Sequence, residues 1–75
     1  MEIKVHIGDE IRKELLLQER SVAWLAKQIE HGDPSNLSKQ LNSKHIRPEL
    51  LFDISVALQK DFFAFYSQEL YNILG

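Results

Sequence analysis

Between Asp33 and Glu49 runs the one stretch of this sequence that joins many hydrogen-bonding side chains to positive charge without a single carboxylate. It holds Ser35, Asn36, Ser38, Lys39, Gln40, Asn42, Ser43, Lys44, His45 and Arg47. Residues 34–48 carry a charge of +3, residues 1–33 carry -2 and residues 49–75 carry -3, within a chain whose formal charge is -2. Hydroxyls, amides and cations at this density suit the binding of a polyanion, which the rest of the chain would repel. A short surface helix with a solvated face has a similar composition, so charge alone leaves both readings open.

Other chemistry finds little to work with. The histidines His6, His31 and His45 are far apart, no H-E-x-x-H pattern or glycine-rich phosphate loop occurs, and no cysteine offers a nucleophile. Carboxylates such as Asp9, Glu10 and Glu14 fall on polar helical positions, where solvation accounts for them. A chain of 75 residues also has little volume for a deep pocket. No catalytic residue, metal ligand or cofactor is expected.

The elements that position the basic stretch follow from punctuation and periodicity. With 75 residues, 44% of them hydrophobic, and no cysteine, a single domain over residues 1–75 is expected, stabilised by packed apolar surface alone. No run is long enough to span a membrane, and Met1–Ile7 lacks the apolar stretch of a signal peptide, so a reducing cytoplasm is the expected setting. A first helix is expected to open after Gly8, with Asp9 and Glu10 against its N-terminus, and to run to about Glu19. Ile3, Val5 and Ile7 alternate and suggest a brief extended segment before it. Ser21 is a suitable N-cap for a second helix with Val22, Leu25, Ala26 and Ile29 on its apolar face, ended by Gly32. Asp33 before Pro34 marks a third, running from Pro34 to about Asn42, with only Leu37 and Leu41 turned inward. Pro48 opens a fourth, whose core face is Leu50, Leu51, Ile54, Ala57 and Leu58. Asp61 can cap a fifth, rich in aromatic residues, over about 61–74. The fold class is all-α.

An apolar second helix with alanine at its middle, a glycine-containing turn and a short, capped, polar third helix make up a helix-turn-helix unit over about 21–42. Here the chain resembles the phage-repressor or Cro-type (Xre-like) helix-turn-helix family over roughly Ile7 to Ser67. The residues that carry the likeness are Ser21 to Ile29, with its Leu25-Ala26 pair, Ser35 to Leu41, and Pro48 to Leu58. The resemblance implies a compact five-helix bundle of the lambda-repressor type. Two departures stand out. Ile29 to Leu37 spans eight positions where the family has about seven, so either the turn is looser or the second helix is longer. Gln40 stands where many members bury an aliphatic side chain, with Leu41 available to take over that contact.

The resemblance implies a sequence-specific DNA-binding transcriptional regulator in which the third helix enters the major groove. Base contacts then fall to Ser35, Asn36 and Lys39, joined by Gln40 if the helix is rotated slightly. Lys39 would donate to guanine O6 or N7, Asn36 would pair with adenine N6 and N7, and Ser35 can donate or accept. Asn36 could instead cap the helix start locally, and Lys39 could serve solubility alone. Ser21 and Gln28 on the second helix, with Asn42, Ser43, Lys44 and Arg47 after the third, are the candidates for phosphate. Ser21 would stand as an N-cap whatever the function.

About three cations imply a salt slope of order -3 and weak binding by one copy, which points toward dimerisation; the resemblance implies a homodimer on a palindromic double-stranded operator with half-sites ~34 Å apart. Leu70, Tyr71, Ile73 and Leu74 are the dimerisation candidates, against packing within the chain or fraying. Phe62, Phe65 and Tyr66 are assigned to the core, and Trp24 to a partly exposed packing position. The competing function is a protein-interaction module of the same fold: an antitoxin, an anti-repressor or a scaffold.

Overall fold

The computed structural model describes residues 2–75 and is all-helical, with no strand among those residues. Its helices are α1 (Ile7–Leu17), α2 (Val22–Gln28), α3 (Pro34–Asn42), α4 (Pro48–Leu58) and α5 (Phe63–Leu74). Residues 2–6, ahead of α1, form no regular structure. Lys4 and Val5 instead donate their backbone N–H groups to the Glu69 carboxylate at 2.7 and 2.9 Å, tying this segment to α5. No helix among the described residues is long and apolar enough to cross a membrane.

Helix starts follow the capping residues. Ser21 Oγ accepts from the Trp24 N–H at 3.0 Å, and Asp33 accepts from the Ser35 N–H at 3.0 Å ahead of Pro34, so each side chain satisfies a donor that the helix leaves unpaired. Two starts differ from expectation. α1 begins at Ile7, ahead of Gly8, because His6 caps it through Nδ1, which accepts from the Asp9 N–H at 3.3 Å. α5 takes no side-chain cap from Asp61; Phe62 occupies the cap position, and its N–H donates to Ser55 Oγ at 3.4 Å.

Helix ends show a shared device. Glu19, Glu30 and Gln59 adopt left-handed φ angles of 56°, 54° and 53°. The amides of Arg20, His31 and Lys60 then reach back to the carbonyls of Leu15, Ala26 and Ser55 at 2.8, 2.8 and 3.0 Å. These are Schellman closures built without glycine. α2 therefore ends at Gln28, well before Gly32, which lies further along the turn with φ 92°. The turn between α2 and α3 spans residues 29–33.

Four helices and the residue ahead of the fifth supply the buried core. Ile7, Ile11 and Leu15 from α1 meet Leu25 and Ala26, Leu37 and Leu41, the Leu50, Leu51, Ile54 and Leu58 face of α4, and Phe62 at the entrance to α5. Val22, Trp24, Ile29, Ala57, Phe65 and Tyr66 pack around it half-buried. Burial pushes the Tyr66 hydroxyl above its ordinary pKa, with the nearby Glu69 charge adding to the effect. At the opposite end of α1, Gln18 Nε2 donates to Glu14 at 2.8 Å and to the Leu58 carbonyl at 2.9 Å, while Lys60 Nζ lies 3.2 Å from Glu14. The Gln18 and Lys60 hydrogen bonds hold the Glu14 carboxyl below its usual range.

Gly8 sets how closely α1 approaches α3. A Cβ at this position would stand on the Leu41 carbonyl oxygen, well inside van der Waals contact, and the obstructing atom is backbone that cannot rotate away. Gly8→Ala should cost about 3 kcal/mol or more in chemical denaturation, although alanine favours an isolated helix, because the two helices must separate.

Candidate nucleic-acid interface

α3 divides cleanly by exposure. Leu37 and Leu41 are fully buried, whereas Ser35, Asn36, Lys39 and Asn42 are exposed and Ser38 and Gln40 are half-buried on its flanks. Leu41 provides the inward contact and Gln40 lies at the edge of the outward face. Asn36 makes no side-chain hydrogen bond among the described residues, so its amide is open on the surface. At this start the cap is Asp33.

Contacts from α1 hold this helix in place. Arg12 Nη2 is 3.0 Å from each of the Ser38 carbonyl oxygen, Ser38 Oγ and Asn42 Oδ1. His6 Nε2 lies 3.2 Å from the Asn42 carbonyl; with Nδ1 accepting from Asp9, the proton on Nε2 is the one that donates. The Asn42 carbonyl lies at the end of α3, where a helix leaves acceptors unpaired and favours cations, and Ser38 lies one turn before it. The partners of α3's C-terminal end are thus on α1, while its N-terminal and outward side chains face away.

The remaining site residues separate. Lys44 is 3.6 Å from the exposed Glu2 carboxylate, an exposed pairing of little strength. Arg47 is exposed at the N-cap of α4 without a side-chain cap. Ser43 turns its hydroxyl into the loop, accepting from the His45 N–H at 3.3 Å and donating to the His45 carbonyl at 3.2 Å. Gln28 lines a groove between α2 and α4, at the opposite end of α2 from Ser21. The carboxylate-free stretch also has carboxylates nearby in space: Asp33 at the head of α3, and Glu2 beside Lys44.

Three contributors escape a reading of the sequence. Arg12 and His6 act across α1 and α3, more than 25 positions away, and no local pattern announces such pairs. Arg20 precedes Ser21 and places its guanidinium 4.4 Å from the centre of the Trp24 ring, an arrangement that i, i+4 spacing permits. This puts a cation beside the capped start of α2 and leaves Trp24 half-buried against the core. No family model, curated protein or solved structure matches the chain.

Arg12→Met keeps much of the apolar stem and removes the three contacts to α3. It should lower stability by about 1–3 kcal/mol, through the loss of charge-assisted hydrogen bonds to Ser38 and Asn42, and speed amide exchange in residues 39–43 more than in α4.

Proposed function

We propose that the chain is a sequence-specific DNA-binding regulator of transcription, akin to the phage-repressor and Cro-type proteins, that reads the major groove with α3. The observation that carries this reading is the outward face of α3. Ser35, Asn36 and Lys39 stand exposed together on a helix whose opposite side is buried and whose last turn is held by Arg12 and His6. A recognition helix needs that combination of free polar side chains and a fixed axis, because a bidentate base contact tolerates little angular error.

Around that face, phosphate would be met by Ser21 with Arg20 beside it, by the Asn42 amide nitrogen, and by Lys44 and Arg47. Lys44 can leave Glu2 for a phosphate at small cost, since both groups are solvated. Gln28 and Ser43 are set aside, the first by its place in the α2–α4 groove and the second by its loop hydrogen bonds. Binding by one copy is weak, and a homodimer on a palindromic site supplies the missing affinity. Its interface is the end of α5, where Leu70, Tyr71, Ile73 and Leu74 are 55%, 78%, 44% and 77% exposed. Their exposure supports pairing between copies over packing within the chain.

Selection from a random duplex library at low salt should enrich a roughly palindromic motif; recovery of no motif contradicts the reading. Lys39→Ala should weaken binding and change the preferred base at one position. Lys44→Ala should weaken it evenly across sequences and reduce the salt slope by about 1.

A further inference from the structure

The face of α4 opposite the core carries an exposed ridge that neither the fold nor the DNA reading uses. Phe52 and Val56, one turn apart, are 60% and 63% exposed. On one side of them lies a groove of about 560 Å³ floored by Ile29 and Ala57 and rimmed by Glu30 and Asp53. A shallower depression of about 330 Å³ continues on the other side toward Phe63, with both Lys60 and Asp61 at its edge.

The rim of the larger groove is acidic. Every carboxylate with a cation or histidine nitrogen within 4.0 Å, namely Glu2, Asp9, Glu10 and Glu14, belongs to the N-terminal segment or α1. Glu30 and Asp53 have no such partner among the described residues, as is true of several carboxylates elsewhere, but here they border the 560 Å³ groove, which is lined by no lysine or arginine. Uncompensated negative charge around exposed aromatic and aliphatic surface gains nothing for the isolated fold.

We propose that this groove docks a segment of another protein in which lysines or arginines flank aliphatic anchors, an amphipathic basic helix being the form that fits a groove beside a helical ridge. Charge selects this occupant. A nucleic acid is repelled by the rim. The exposed end of a second copy's α5 does not complement it, because residues 61–75 contain Asp61 and Glu69 and no lysine or arginine. The groove draws on α2 and α4, with no residue of α3, so occupying it leaves the outward face of α3 free. The proposal stands whether or not α3 binds DNA.

Two synthetic peptides test it: an amphipathic helix of leucine and lysine alone, and its counterpart with glutamate at every lysine position. The leucine–lysine peptide should shift the amide resonances of Gln28–Glu30 and Phe52–Ala57, and bind more weakly as salt is raised. The double reversal Glu30→Lys and Asp53→Lys, both at exposed positions, should weaken that peptide roughly tenfold and make the glutamate peptide the better ligand. Phe52→Ser should abolish both interactions while circular dichroism stays unchanged. Equal binding of the two peptides by the native protein, shifts confined to Leu70–Leu74, or no binding at all would overturn the proposal. So would a fall in sedimenting mass caused by Phe52→Ser, which would make the ridge a contact between copies.

Discussion

The close approach of α1 to α3 at Gly8 is the constraint on which the rest of the molecule depends. Because Gly8 has no side chain, the first turn of α1 lies directly on the last turn of α3, against the Leu41 carbonyl. At that separation His6 and Arg12 can reach the acceptors of α3's last turn, and Ile7 and Ile11 can share one core with Leu37 and Leu41. A helix as short as α3 has little stability of its own. Its position is set by what grips it from one side, and this leaves the other side free to carry Ser35, Asn36 and Lys39.

The same economy shapes the far end. Phe62 is fully buried and its ring stacks with Phe65 at 6.2 Å, so α5 is rooted at its start. Glu69 adds one further tie by accepting two backbone N–H groups from the N-terminal segment. Beyond it the helix has no buried residue, and the molecule extends over 40 × 20 × 19 Å. A chain this small cannot bury all of its apolar side chains. Those left outside include the end of α5, the α4 ridge with its acidic rim, and Leu16 and Leu17 at the end of α1.

Much of this was legible in the residues. Ser21, Asp33 with Pro34, and Pro48 marked three helix starts, because caps act within one turn and leave a local signature. The buried pair on α3 and the inward face of α4 followed from spacing. Helix ends were harder to read, since the left-handed closing residues are Glu19, Glu30 and Gln59, types that do not advertise that conformation. Gly8 was legible as a glycine but not in its role: it stands inside α1 as a point of contact, where local punctuation suggests the residue before a helix. Asp61 looked like a cap, yet the chain enters α5 through Phe62, whose burial fixes the backbone there. Arg12 and His6 were hidden because their partners are remote in sequence, and the charge segregation of residues 34–48 could not reveal Glu2 lying beside Lys44.

The carboxylate-poor face of a clamped helix, acidic surface elsewhere and apolar surface at the end of α5 support the proposed reading, in which α3 faces DNA and other faces meet proteins. The most direct test is a titration of the ¹⁵N-labelled chain with a mixed-sequence DNA duplex at low salt, followed by amide chemical shifts. The expected shifts fall on Ser21, on Ser35–Gln40 and on Asn42–Arg47, fade as salt is added, and spare Phe52–Ala57. An unchanged spectrum, or shifts centred on α4 or the end of α5, would contradict the assignment of α3 as the reading helix.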